Sequence, residues 1–247
     1  MTHKNIRVVA IIQARVGSTR LPGKVLEKLV GQPMLVRVIN RTRQAKTLDI
    51  TMVSTTTQTA DDAIVHLCEA HDCTYFRGSE KDLLDRYYQT ALASKADVVV
   101  RITSDCPLIE PEIIDRVVNE FLSYYPDVEY VSNNLERTFP RGLDVEAIRF
   151  AALEKAWQED NNPVWREHVT PYLRRHPKKF RTRNVGNDID YSYMRWTVDT
   201  IEDLTFVRKI YNYFQNDTFT WREVLHLLET HPEWLEINRH VQQKAVP

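Results

Sequence analysis

The sequence predicts an α/β fold, a doubly wound and mainly parallel sheet flanked by helices, and three observations predict it. Short apolar runs alternate with longer segments of helical period through the first half of the chain, the β-α-β-α-β order of a parallel sheet. The runs are near-continuous rather than alternating in polarity, so both faces of each strand must be covered. The 247 residues are 43% apolar, enough for one large core, and no linker, repeat or low-complexity tract divides them.

Taken in order, Ile6 to Ile12 reads as the first buried strand. Pro33 opens a helix whose apolar positions Met34, Leu35, Val38 and Ile39 fall on one side. Ile50 to Ser54 is the second strand. Thr59 with Asp62 forms a capping box for a helix that buries Ile64, Leu67 and Cys68. Thr74 to Phe76 is a short third strand and Leu83 to Ala93 a third helix. Asp97 to Ile102 is the clearest strand, and Pro111 opens the helix after it. The second half is less regular. Strands are expected near Val128–Ser132, Leu143–Ile148 and Tyr193–Val198, with helices near Ala151–Glu159, Pro163–Arg175, Ile201–Phe214 and Thr220–Glu229. Trp221 and Trp234 lie at helical spacing and are read as packing residues. The chain is expected to be a single domain over 1–247, with halves 1–125 and 126–247.

Charge narrows the function. There are 33 Lys and Arg against 34 Asp and Glu, a balance that argues against a protein that coats nucleic acid. No run of about 18 apolar residues exists, and the N-terminus enters a strand without an apolar leader segment, so neither a membrane nor a secretory route is expected and the location is read as cytoplasmic. Cys68, Cys73 and Cys106 lack the paired CxxC spacing of a zinc site and are read as reduced structural thiols.

The densest chemistry follows the first strand. Residues 13–24 read Gln-Ala-Arg-Val-Gly-Ser-Thr-Arg-Leu-Pro-Gly-Lys and hold two of only six glycines, two hydroxyls and the cations Arg15, Arg20 and Lys24. Such a loop answers to a polyphosphate: glycine frees backbone N–H groups to turn toward phosphate oxygens while Arg and Lys neutralise charge. It is not a P-loop, since five residues separate Gly17 from Gly23 and Val25 follows Lys24 where Ser or Thr would reach a metal. The dinucleotide fingerprint is absent too. Two further glycines, Gly78 and Gly142, fall in other charged segments, while Gly31 and Gly186 are read as turn residues.

Residues 11–26, Ile-Ile-Gln-Ala-Arg-Val-Gly-Ser-Thr-Arg-Leu-Pro-Gly-Lys-Val-Leu, resemble the opening of the cytidylyltransferases that make CMP-activated ulosonic acids, and more closely the SpsF-type branch named after a spore-coat polysaccharide protein. The resemblance continues through Arg77-Gly78-Ser79-Glu80, Asp82 to Tyr87, and Arg101-Ile102-Thr103-Ser104-Asp105-Cys106-Pro107-Leu108-Ile109. It extends to Arg141 to Glu146, Glu167 to Tyr172 and Arg195 to Thr200.

The resemblance implies a Rossmann-like nucleotidyltransferase sheet of the nucleotide-diphospho-sugar transferase type. It implies a first half that binds CTP and a second that binds an acidic sugar or phosphorylated acceptor. Nucleotide contacts are expected from Gln13, Ala14, Arg15, Gly17, Ser18, Arg20, Lys24, Arg77 and Ser104, with Lys24, Arg15 and Asp105 catalytic. Ser104 stands where the ulosonic-acid relatives have glycine. Asp105, just past the best strand, and Asp199 are the expected ligands of Mg²⁺, a cation that takes one or two carboxylates plus phosphate oxygens; Asp199 could instead cap the following helix. Arg141, Asp144, Glu146 and His168 are expected to meet the acceptor. For Asp144 and Glu146 the plain alternative is a solvated strand face, and for His168 a structural histidine. A homodimer is common among such relatives. Rival readings are another triphosphate as donor, a regulatory nucleotide-binding module, or a glycosyltransferase whose D-x-D pair would be Asp188-Ile189-Asp190.

Overall fold

Five aliphatic residues in a row, Val8 to Ile12, leave no polar face. In the computed structural model they form β1 (Val8–Gln13), an interior strand of a seven-stranded sheet. The structure describes residues 6–244; residues 1–5, where the absence of a leader was read, lie outside it. A two-residue hairpin, β2 (Lys28–Leu29) with β3 (Gln32–Pro33), leads into α1 (Met34–Thr42). Then come β4 (Ile50–Thr56), α2 (Asp62–Ala70), β5 (Thr74–Gly78), α3 (Leu83–Ala93), β6 (Val98–Thr103) and α4 (Pro111–Ser123). The second half contributes β7 (Tyr130–Ser132), β8 (Glu146–Arg149), α5 (Phe150–Glu159), α6 (Pro163–Arg166), α7 (Pro171–Arg175), β9 (Thr182–Asn184), α8 (Ile201–Phe214) and α9 (Trp221–Thr230).

The sheet runs β5-β4-β1-β6-β8-β7-β9. β5, β4, β1 and β6 are parallel, β8 is antiparallel to both β6 and β7, and β9 returns parallel to β7. The pleat sorts β1 between two cores. Val8, Ala10 and Ile12 face one that includes Val38 of α1, Ile64 of α2, Val117 of α4 and Val207 of α8. Val9 and Ile11 face the other, with Tyr87 of α3, Leu153 of α5 and Leu173 of α7. Helices therefore cover both faces, as continuous apolar strands require. No helix among the described residues is long and apolar enough to cross a membrane, and the three cysteines are buried and free.

Several expected elements differ in detail. The expected helix over 163–175 is two short helices, because Val169 takes φ 66° and Pro171 has no N–H to continue the earlier turn. The expected strand at Tyr193–Val198 is an irregular segment tied by a single parallel bridge, Arg141 to Arg195. The strand expected from Leu143 starts only at Glu146. The Thr59–Asp62 capping box does not form: residues 59–61 make a 3-10 turn, and the Asp62 carboxylate is drawn to Arg77. β9 and the β2–β3 hairpin were not expected, being too short to carry a periodic signal. The boxes that do form are Thr200 with Asp203 on α8 and Thr220 with Glu223 on α9.

Candidate active site

Register brings two loops together. β1 and β6 run in parallel with Gln13 opposite Thr103 as the last pair, so loop 14–24 and segment 104–110 leave the sheet at the same end. The chain winds from β1 outward to β4 and β5, then crosses back to β6. The crevice between β1 and β6 is thus the switch point at which ligands bind in such sheets.

The loop after β1 is held from inside. Val16 O accepts from Ser18 N at 2.8 Å and Gly23 N at 3.0 Å, and buried Asp61 accepts from Val16 N at 2.7 Å and from the Thr56 hydroxyl. Gly23 takes φ 72°, a conformation costly for other residues, and this turn delivers Lys24 into the crevice. Gly17 has no such φ and open space where a Cβ would be, so the loop's shape depends on Gly23 rather than on both glycines.

Lys24 is the centre of the site. Its ammonium donates to Asp105 Oδ2 at 3.1 Å, Asp199 Oδ1 at 2.8 Å and Val198 O at 2.7 Å. Burial alone would depress this amine; the two carboxylates outweigh it and hold Lys24 above its ordinary pKa. Asp105, where burial acts in the opposite sense, is held below its ordinary value by Lys24 and by hydrogen bonds, including Thr103 Oγ1 at 2.6 Å. Asp199 Oδ2 meets Arg20 at 2.7 Å and Arg195 at 2.9 Å. Arg195 also grips Asp203, which accepts from the Asp199 and Thr200 N–H groups. Asp203, not Asp199, is the carboxylate of the helix cap. That leaves the Asp199 side chain turned into the crevice.

Two cavities meet here. One of about 780 Å³ lies over the β1 loop and reaches Lys81 and Arg86. The other, about 740 Å³, is lined from the second half by Arg137, Arg141, Asp144, Glu146 and Arg174. They share Arg101, Thr103, Asp105, His168, Asp199, Gln243 and Lys244. In the first, Arg15 is exposed with no ion pair among the described residues, and Arg86 is 3% exposed with Nε unpartnered. Burial and the neighbouring Arg15 depress the Arg86 guanidinium, the electrostatic mark of a site that wants an anion.

Asp105 and Asp199 converge on one point, occupied by the Lys24 ammonium, and no third His, Cys, Asp or Glu joins them among the described residues. Two carboxylates with room for phosphate oxygens suit Mg²⁺, which rarely takes an all-protein cage. The donor set fits.

Of the expected nucleotide residues, Gln13, Ala14, Arg15, Gly17, Ser18, Arg20, Lys24 and Ser104 line the first cavity together with Asp105 and Asp199. Arg77 does not line it. Its guanidinium is spent on Thr56 O, Gln58 O and Asp62, where it staples β4 to α2 from the edge strand β5. Arg77→Ala should therefore cost about 1 kcal/mol of stability and leave nucleotide affinity within about twofold, measured by urea unfolding and calorimetric titration. Arg141, Asp144, Glu146 and His168 all line the second cavity, but Asp144 and Glu146 do not share an open strand face. Asp144 is held by Arg137 through both oxygens. Glu146 is buried, bonded to Arg101 and to Tyr130 Oη at 2.7 Å. Burial and Arg101 lower the His168 pKa, leaving a neutral imidazole at pH 7 where the cavities join. Asp188, Ile189 and Asp190 are exposed in a loop and line neither cavity. Arg101, Thr103, Asp61, Arg86 and Arg174 were missed as site residues. Of these, Arg101, a cation inside an otherwise apolar strand, gave the clearest signal.

Residues 9–245 match the family model described as cytidylyltransferase. The chain belongs to the cytidylyltransferase family and is a nucleotidyltransferase. It is 37% identical over 242 residues to protein MJ1063 of Methanocaldococcus jannaschii, covering 97% of this chain and 98% of that one. It is 32% identical over 214 residues to the spore coat polysaccharide biosynthesis protein SpsF of Bacillus subtilis, covering 83% and 86%. Among solved structures, a cytidylyltransferase from Leptospira borgpetersenii superposes with TM-score 0.91 at 33% identity, over 97% of this chain and 99% of that one. A CMP:2-keto-3-deoxy-manno-octonic acid synthetase solved with CTP shares the fold, with TM-score 0.66 at 20% identity over 84% and 99%.

Proposed function

We propose that this protein is a Mg²⁺-dependent cytidylyltransferase of the cytoplasm that transfers CMP from CTP to an acidic acceptor and releases pyrophosphate. The likeness to SpsF supports an acceptor used in surface polysaccharide or glycan synthesis. The observation that carries the reading is the position of Lys24, Asp105 and Asp199 at the seam of two cavities, one edged by a basic loop and one by charged groups of the second half. A group-transfer enzyme needs its donor and acceptor to meet at such a seam.

In this mechanism Arg15, Arg20 and Lys24 neutralise the β- and γ-phosphates as pyrophosphate departs, which stabilises charge where it develops. Asp105 and Asp199 would hold Mg²⁺, which when bound would supply Lewis-acid withdrawal of charge from the reacting phosphate. Thr103 orients Asp105, and Arg195 orients Asp199. Glu146 fixes Arg101, which also donates to Gln13 Oε1 at 3.1 Å, and so braces the floor between the cavities. His168, neutral at the seam, can accept a hydrogen bond from the acceptor hydroxyl.

The test is pyrophosphate release from each of the four ribonucleoside triphosphates with Mg²⁺ over a panel of hydroxylated acids, followed by mass detection of the adduct. CTP should support release at least tenfold faster than the others, and the product should carry the mass of CMP. A faster rate with UTP would transfer the donor assignment to that nucleotide. CTP binding without release for any acceptor would remove the transferase reading.

A further inference from the structure

Charge in the second cavity does not balance. Its cations are Arg101, Arg137, Arg141, Arg174, Arg175 and Lys244; its carboxylates are Asp105, Asp144, Glu146 and Asp199. Each of the four carboxylates is already paired: Lys24 serves Asp105, Arg20 and Arg195 join Lys24 on Asp199, Arg137 serves Asp144, and Arg101 serves Glu146. Arg141, Arg174, Arg175 and Lys244 are left without a carboxylate partner among the described residues.

Three features make this an anion site rather than a scatter of surface charge. Arg141 is half-buried, lines the cavity and makes no ion pair among the described residues; burial and the nearby Arg137 depress its guanidinium more than Asp144, already held by Arg137, supports it. Arg174 lines the cavity, and its charge acts on the buried Glu146 carboxyl and Tyr130 hydroxyl at the floor. Arg175 lies over the Trp165 ring at 5.1 Å, a platform that orders the side chain without neutralising it. Beside them, Asn134 Oδ1 is buried and has no partner, an acceptor waiting for a hydroxyl.

We propose that this cavity binds an acceptor through a dianionic phosphoryl or phosphonyl group held by Arg141, Arg174 and Arg175. A lone carboxylate brings one negative charge and two oxygens. A phosphate monoester at neutral pH brings nearly two charges and three acceptor oxygens, which suits the three guanidinium groups left without a carboxylate and their forked geometry. The inference rests on the nucleotidyltransferase reading, with nucleotide in the first cavity, and it names the class of the second substrate: a hydroxylated phosphate or phosphonate rather than a simple sugar carboxylate.

The probes are methylphosphonate and acetate, titrated calorimetrically into enzyme saturated with Mg²⁺ and the non-transferable analogue cytidine 5′-(α,β-methylene)triphosphate, which fills the first cavity. Methylphosphonate should bind at least about tenfold more tightly than acetate, and the double variant Arg174→Ala/Arg175→Ala should weaken it by roughly tenfold or more. Both positions are exposed on the short helix α7, so the variant should fold, and unchanged affinity for the analogue checks this. Equal binding of the two probes, or methylphosphonate binding indifferent to the double variant, overturns the proposal and leaves the cytidylyltransferase reading standing. Failure of the analogue to bind strikes that reading instead, and the two probes titrated into nucleotide-free enzyme then judge the second cavity by the same criteria.

Discussion

Lys24→Met is expected to lower kcat/KM by about 10²–10³-fold, a loss of about 3–4 kcal/mol of the size seen when one preorganised charge-stabilising donor is removed. The same variant should bind Mn²⁺ alone more tightly than the wild type. Both effects follow from one ammonium. It has three N–H donors, and three acceptors surround it: Asp105, Asp199 and Val198 O. Lys24 can reach a phosphate only by giving up one of these acceptors. Until it does, it competes with any divalent cation for the same two carboxylates. Removing it leaves Asp105 with no cation of its own, while Asp199 keeps Arg20 and Arg195. The site should then attract Mn²⁺ by about tenfold or more, since charges a few ångströms apart in a part-buried crevice interact by several kcal/mol.

Paramagnetic resonance of free Mn²⁺ reads this affinity without turnover. A melting scan adds an independent check: the variant should melt lower than wild type without metal and recover when Mn²⁺ is added, because a ligand that binds only the folded state stabilises it. Mn²⁺ affinity equal to or weaker than that of the wild type would show that Lys24 does not sit in the metal's place. A change in kcat/KM below about threefold would detach the β1 loop from the chemistry.

The strands that build the switch point were legible because burial on both faces writes a nearly continuous apolar run: β1 is one, and β6 is one broken only by Arg101. Lys24 and Asp105 were legible because loop and strand end are local features, and the parallel order of β1 and β6 follows from the alternation of elements. Arg77 shows the limit of that reasoning. Its place after a strand tells which end of the sheet it occupies, not how far it lies from the switch point. β5 is the edge strand, and Asp62, fifteen positions earlier, captures the guanidinium. The Arg101–Glu146 pair was illegible for another reason. β8 returns antiparallel to β6, and only the register that sets Arg101 opposite Glu146 reveals that the two buried charges cancel. Asp144 and Glu146 line a cavity, as expected of acceptor residues, but each is held by an arginine: Arg137, seven positions before Asp144 across an irregular turn, and Arg101, brought to Glu146 only by strand pairing. The cations left over carry more functional information than the paired acids do.

Gly142→Ala is expected to be the most destabilising single-methyl change in the second half, costing about 2–6 kcal/mol from left-handed strain and overpacking together. Gly142 takes φ 112°, and a Cβ there would stand 2.6 Å from Thr197 N and from Trp196 C, and 2.9 Å from Trp196 O. All three are backbone atoms, so no rotamer change relieves the contact. Nor can the segments part easily. Arg141 N donates to Met194 O at 3.0 Å, Trp196 N donates to Arg141 O at 2.7 Å, and the Trp196 side chain is fully buried. Gly23→Ala supplies the contrast: φ is 72° but the space beyond is open, so only backbone strain of about 1 kcal/mol applies. The first change takes up a large share of a typical folding free energy of about 5–15 kcal/mol, and its cost also falls on function. Residues 196–199 place the Thr197 hydroxyl on Asp105 O, the Val198 carbonyl under Lys24, and Asp199 in the crevice. Any outward shift of this segment separates the two carboxylates. Urea unfolding of both variants, with turnover measured at low temperature where each is folded, tests the difference. Gly142→Ala should lose stability and at least tenfold in kcat, and a Gly142→Ala protein within about 0.5 kcal/mol of wild type would mean that the 141–143 and 194–197 segments are not locked together.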